Sequence, residues 1–162
     1  MKVIRGFQGD YRWLSNFHKQ AFYKDGEFWT TAEHYYQAHK AIHRRDFTAI
    51  RLAKTPGEAK RMGAAVALRE GWNDERLAVM LRALQGKFRD PELAKLLLGT
   101  GDAELIEENT WGDVWWGTCQ GYGANKLGGL LMQVRQELKE KREAQDLNRR
   151  ASDAGDTPVH IQ

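Results

Sequence analysis

Residues 25–40 read DGEFWTTAEHYYQAHK, and inside this stretch the hydrophobic period changes from two to nearly four. Asp25-Gly26 stands between AFYK and EFWT, the signature of a type I′ hairpin turn, whose two central residues both need positive φ. Thr30 lies three residues before Glu33, as in a capping box, so a helix is expected over EHYYQAHKAIHRR. A hairpin that hands the chain directly to a helix sets the class as α+β.

Helices dominate outward from there. Thr55, Pro56, Gly57 and Glu58 form another box, with Pro at the first helical position, and predict a helix over roughly EAKRMGAAVAL. Asn73 can cap the next helix, whose buried stripe is Leu77, Met80, Leu81, Leu84 and Phe88. Asp90-Pro91 opens another that ends at Gly99, and residues 103–108 read as a short strand. After Asn125 one face of a long helix carries Leu127, Leu130, Leu131, Val134 and Leu138. From about Lys139 aromatic residues disappear and Arg, Asp, Glu, Gln and Ala dominate. Residues 1–140 are therefore expected to form one helix-dominated α+β domain with a small N-terminal antiparallel sheet. Residues 141–162 are expected to be a disordered or frayed tail.

The chain has 162 residues, enough for one domain, and 41% hydrophobic with 29% charged residues is ordinary for a globular protein. A net charge of +3 suits an anionic ligand such as a nucleotide but is too weak to demand a nucleic-acid groove. The single cysteine, Cys119, forms no internal disulfide and suits a reducing compartment. There is no signal-peptide core and no apolar run of membrane length, so a cytoplasmic protein without a membrane partner is expected.

The chemistry concentrates in residues 111–128, WGDVWWGTCQGYGANKLG, which hold three of six tryptophans and five of sixteen glycines. Stacking surface, one acid (Asp113) and bare backbone are what grips a flat ring and a phosphate. If this segment is extended, Trp111, Asp113 and Trp115 share one side and Trp116 faces the core. Gly121, Gly123 and Asn125 precede a helix, where N–H groups and the helix dipole favour phosphate. It is not the dinucleotide fingerprint, because Lys126 stands at the third glycine position. Lys60 and Arg61 are a second phosphate candidate. Trp72, after Gly71, either stacks on a base, worth about 1–3 kcal/mol, or fills the core.

Glu33, Gln37 and Lys40 fall at i, i+4 and i+7 on one helical face, flanked by Trp29, Tyr35 and Tyr36. That stripe can be a sugar-binding wall, although from spacing alone the capping-box role is the stronger account of Glu33. His39 and His43 lack the glutamate and third ligand of a zinc site, and Cys119 has no evident partner histidine. No metal and no cofactor are expected.

The runs SNF at 15–17, DGEFWTTAEHYYQAHK at 25–40, TPGEAKRMG at 55–63, GW at 71–72 and WGDVWWG…GYGANKLGGLLM at 111–132 resemble the YbiA-like (NADAR) family. The resemblance spans about residues 6–138. It implies an N-glycosidase that releases ribose from an amine. Two substrate classes go with it: phosphoribosyl-aminopyrimidine intermediates of riboflavin synthesis, and ADP-ribose on guanine bases of nucleic acid. It places the site on Glu33, Trp72 and Asp113, supported by Asn16, Lys40, Trp29 and the glycines of the 117–128 loop, Gly117 among them. The loop GTCQGYGAN departs from the more acidic, glycine-richer form of riboflavin-linked members, with Thr118 where they carry Asp or no counterpart. That departure favours the ADP-ribose branch.

Cleaving a C1′–N bond passes through an oxocarbenium-like centre, which needs charge stabilised at C1′ and a proton for the departing nitrogen. Glu33 is expected near the ribose. Asp113, among indoles that raise a carboxyl pKa, is expected to donate the proton or orient the ribose hydroxyls. Lys40 either forms a Schiff base or pairs with a phosphate or carboxylate. The rival from another class is a non-catalytic ADP-ribose or NAD-binding module. Partners are then ADP-ribosylated nucleic acid or a ribosylated small molecule, and nothing in the sequence fixes the oligomeric state.

Overall fold

The first strand finds its partner far along the chain. In the computed structural model, which describes residues 2–155, β1 (Val3–Arg5) pairs in parallel with residues 104–106, Ile4 opposite Leu105. A short 3-10 helix, Gly9–Leu14, then leads to the hairpin. β2 (Phe22–Lys24) and β3 (Glu27–Trp29) pair antiparallel, and Asp25 and Gly26 between them take φ of 54° and 80°. Those are the positive angles a type I′ turn requires.

The cap that follows is shifted by one residue. Thr31, not Thr30, caps α1 (Ala32–Ala38), its hydroxyl accepting the His34 N–H at 3.2 Å. The expected Thr30–Glu33 box does not form, so Glu33 has no capping duty. The expected helix through Arg45 also stops early, at Ala38. Residues 40–42 pair instead with 67–69, through Ile42 N–H to Ala67 O at 3.2 Å and Arg69 N–H to Lys40 O at 2.9 Å. Those bonds replace the helical ones, and α2 (Arg44–Arg51) starts afresh. His39 and Phe47 stack beside Trp29 at 5.4 Å each and fill the corner.

α3 (Pro56–Ala65) is capped by Thr55, which accepts the Glu58 N–H at 3.1 Å. α4 (Trp72–Lys87) begins after Gly71, so Asn73 lies inside the helix and does not cap it. Asp90 caps α5 (Pro91–Gly99) by accepting the Leu93 N–H at 2.9 Å. β4 (Glu104–Ile106) completes the parallel pair with β1. α1 is buried on every side because α2, α3 and α4 pack around it.

α6 (Lys126–Gly155) lays Leu127, Leu131 and Val134 into the core, each buried side chain contributing about 1.5–3 kcal/mol. The helix does not end with its apolar face. It continues through residues 141–155, exposed but regular, with pairs such as Arg149–Asp146 at 2.9 Å along its surface. That part of the expected frayed tail is helical, and residues 156–162 lie outside the described residues. Among the described residues no helix is long and apolar enough to cross a membrane.

Candidate active site

A cavity of about 780 Å³ opens between α1, the first turns of α4, the segment 15–17 and the loop 107–116. Glu33 lies at its buried floor because α1 is enclosed on all sides. Its N–H donates to Asn16 O at 3.2 Å, and its Oε1 accepts the Gln37 Nε2–H at 2.7 Å. Burial pushes the carboxyl above its ordinary pKa; the Gln37 bond, Lys60 and Lys40 oppose this, and Asp113 adds to it. Asn16 donates to Met80 Sδ at 3.3 Å and leaves its Oδ1 without a partner.

Lys40 lies beyond the end of α1, yet it lines the same cavity as Glu33 and Gln37. Burial lowers its ammonium pKa; Glu33 counters this, and Lys60 and Arg76 lower it further. Its Nζ stands 5.3 Å from the Tyr36 ring centroid. Tyr36 is itself packed between Trp72 and Trp116, at 5.3 Å from each. Burial drives the Tyr36 hydroxyl to about 12. Trp72 occupies the first turn of α4, and one face of its ring belongs to the cavity wall.

The tryptophan loop is a turn and not an extended strand. Asp113 Oδ1 accepts the N–H groups of Trp115 and Trp116, at 3.1 and 2.9 Å. Asn109 clamps the Asp113 backbone from both sides, accepting its N–H at 3.0 Å and donating to its carbonyl at 2.8 Å. The turn reverses the expected alternation: Trp116 enters the cavity and Trp115 leaves it. Trp115 instead lies beneath the Arg76 guanidinium, 3.4 Å from it, with its edge against Trp116. Trp111 lines the open side, 60% exposed, with Lys60 Nζ 5.7 Å above its ring.

Glu33, Asp113, Lys40, Asn16, Tyr36, Trp72, Trp111 and Lys60 therefore meet in one cavity. Several expected residues do not. Trp29 is core: its Nε1–H donates to Lys24 O at 3.1 Å and its ring meets Tyr35 at 4.9 Å. Arg61 is exposed on α3, outside the lining. Gly117, Gly121, Gly123 and Asn125 also lie outside it. The phosphate cradle expected there is already filled by protein. The N–H groups of Asn125, Lys126 and Leu127 donate to the carbonyls of Gly117, Trp115 and Trp116. The Asn125 side chain ties β4, accepting from Glu107 N–H at 3.0 Å and donating to Leu105 O at 2.9 Å. Gly117 and Gly123 are instead packed against the loop's own backbone and Glu107.

The cavity also contains residues that the sequence did not single out. Arg76 follows Trp72 by one helical turn, so the spacing of four was the available signal. Among the described residues its Nε has no hydrogen-bond partner, and its planar guanidinium lies over the Trp115 indole. Arg12 joins Lys40, Lys60 and Arg76 on the walls. None of these four cations forms an ion pair among the described residues. Glu107 and Glu108, just after β4, join Glu33 and Asp113 as acids of the lining, and only their place after a strand hinted at them.

A family model described as the NADAR domain matches residues 5–139. N-glycosidase YbiA of Escherichia coli (strain K12) is 41% identical over 133 residues, covering 80% of this chain and 82% of that protein. The riboflavin biosynthesis protein PYRR of Zea mays, chloroplastic, is 40% identical over 123 residues, 68% of this chain but 20% of its own length. The NMR structure of the E. coli protein YbiA superposes with a TM-score of 0.78 at 34% identity, covering 99% of this chain and 92% of that one.

Proposed function

The chain belongs to the NADAR domain family, and on that premise we propose that it hydrolyses the bond between a ribose C1′ and an amine nitrogen, with ADP-ribose on guanine bases of nucleic acid as its substrate. The observation that carries this is Glu33, a buried acid at the floor of a cavity whose walls hold four cations, none of the five in an ion pair among the described residues. An acid at the floor serves the anomeric carbon. Cations on the walls serve phosphates, the flat guanidinium of Arg76 above all.

At C1′ the ionised Glu33 stabilises the growing positive charge and takes the proton of the attacking water. Gln37 keeps its carboxyl oriented. Asp113 holds the loop that sets Trp116 against Tyr36 of α1, beside the sugar and base. The open side, with exposed Trp111 under Lys60, leaves room for a base still attached to its polymer. Lys40 allows a second route, in which the opened ribosylamine exchanges onto Nζ as a Schiff base.

A second substrate class, the ribosylamino-pyrimidine phosphates, is supported by the similarity to riboflavin biosynthesis proteins of Zea mays and Vibrio vulnificus. The test is incubation with an ADP-ribosylated oligonucleotide and, separately, with ribosylamino-pyrimidine phosphate, followed by mass spectrometry. Free ADP-ribose is the expected product. Release from the pyrimidine alone would select the second class. Tight binding with no release from either would make the protein a binding module. Borohydride added during turnover traps a Lys40 adduct if the Schiff-base route operates; without an adduct Lys40 is a phosphate partner.

A further inference from the structure

We propose that Glu107 is the general acid that protonates the departing nitrogen, and that Asp113 is a positioning residue for the loop around it; this rests on the N-ribosyl hydrolysis reading above.

The Glu107 backbone is held on two sides, and its side chain by one hydrogen bond. Its N–H donates to Asn125 Oδ1 at 3.0 Å, and its carbonyl accepts the Thr118 N–H at 2.8 Å. Its Oε2 accepts the Asn109 Nδ2–H at 3.2 Å, while its Oε1 has no protein partner. Gly117 lies so close that a Cβ there would collide with Glu107 Oε2 and the Glu107 carbonyl. The result is a half-buried carboxyl on the cavity wall that forms no ion pair among the described residues.

Burial raises both glutamates above their ordinary value, and the charges around them differ. Glu33 faces two lysines, Lys60 and Lys40, and one carboxylate, Asp113. Glu107 faces two carboxylates, Asp113 and Glu33, and one lysine, Lys60. Its chain neighbour Glu108 also lines the cavity but is paired with Arg5, at 3.9 Å. Burial raises Glu107 first, the Asn109 bond opposes, and the two acids add to the rise. Two acids of one cavity held in different surroundings divide into a proton donor and a base.

Asp113 uses one carboxylate oxygen to shape the loop. Its Oδ1 accepts the two N–H bonds that turn Trp116 into the cavity, and its backbone is clamped by the same Asn109 that holds Glu107.

In the step itself the proton passes from Glu107 to the nitrogen as the C1′–N bond breaks and its electron pair stays on nitrogen. Water then adds to C1′ and gives its proton to Glu33. Solvent restores Glu107 and relieves Glu33, so the products are the free amine and the hydroxylated sugar.

The experiment compares wild type, Glu107→Gln and Asp113→Asn on two classes of N-ribosyl substrate. One class has an amine leaving group that must be protonated; the other has a pyridinium, which departs without a proton. Glu107→Gln is expected to slow the amine class at least about 10²-fold, to spare the pyridinium class, and to remove the high-pH limb of kcat/KM on amines. Asp113→Asn is expected to slow both classes alike and to retain that limb. If Glu107→Gln fails to fold, Glu107→Asp should keep the limb at a lowered kcat. Equal loss on both classes, an unchanged rate, or a retained limb in Glu107→Gln overturns the assignment. Wild type inactive on every N-ribosyl substrate would instead overturn the hydrolysis reading beneath it.

Discussion

Gln37 donates its Nε2–H to Glu33 Oε1 at 2.7 Å, from one helical turn further along α1. The amide reaches that position because residue 63 on the facing helix α3 is glycine. A Cβ there would collide with Gln37 Oε1 and stand 2.9 Å from its amide carbon. The floor acid is thus oriented through a neighbour, and that neighbour through the absence of a side chain.

Gly63→Ala should therefore act through Gln37. Overpacking of a buried contact costs typically about 1–3 kcal/mol, and the displaced amide stops supporting the ionised form of Glu33. Urea unfolding and the low-pH limb of kcat/KM are the measurements. The limb is expected to move to higher pH in Gly63→Ala and in Gln37→Ala. In the Gln37→Ala background the glycine substitution should do little further. Fully additive effects of the two changes would break the link.

Replacing Glu33 separates activity from stability. Glu33→Gln should lower turnover at least about 10²-fold while stabilising the fold at neutral pH. The sign follows from the raised carboxyl. A folded-state pKa above the ordinary 4.5 means that the native state binds the proton more tightly than the unfolded chain. The stabilising contribution is complete below the ordinary value and is lost as pH rises through the folded one. Urea midpoints of the variant and the wild type should differ most near pH 7.5 and converge toward pH 4. A variant less stable than wild type at both pH values would contradict this.

What could be read in the chain was what is decided locally. The Asp25-Gly26 turn and the caps at Thr55 and Asp90 involve residues within three or four positions of one another, and each stands as the sequence indicates. The break after Ala38 has no glycine or proline to announce it, because it is made by pairing of residues 40–42 with 67–69. The β1–β4 pairing is long-range in the same sense. In the tryptophan loop the residue types were the right ones to inspect, but an acid that caps a turn reverses which ring faces inward. Asp113 does this, exchanging Trp115 for Trp116. Glu107 stayed hidden because its importance comes from Asn109, Gly117 and Glu33 meeting in space.

Arg76 and Trp115 should behave as a unit toward phosphate. Trp115→Ala removes the indole beneath the guanidinium, a cation–π contact worth about 1–2 kcal/mol when desolvated. KM for a phosphate-bearing substrate should rise roughly 5- to 30-fold with kcat little changed, and Arg76→Lys should do at least as much. The matching substrate without phosphates serves as control, and its KM should not respond. An equal rise for both substrates would place Arg76 elsewhere on the ligand.

Lys87 offers a test of the wall behind Asn16. It is fully buried and donates from Nζ to Ser15 O at 2.8 Å, and burial brings its ammonium down to about 7. With a folded value below the ordinary 10.5, its stabilising contribution is present above 10.5 and is lost as pH falls toward 7. Within that window wild-type stability should rise with pH by up to about 1.4 kcal/mol per unit from this group. Tyr35 and Tyr36, both pushed to about 12, begin to contribute only at the upper end. Lys87→Met abolishes the lysine slope but leaves the Ser15 carbonyl unpaired, at about 1–3 kcal/mol. The difference between the two proteins in urea unfolding free energy, followed from pH 7 to 10, isolates the lysine. It should grow steadily in favour of the wild type as pH rises, and a difference independent of pH would mean that Lys87 keeps its charge inside the fold.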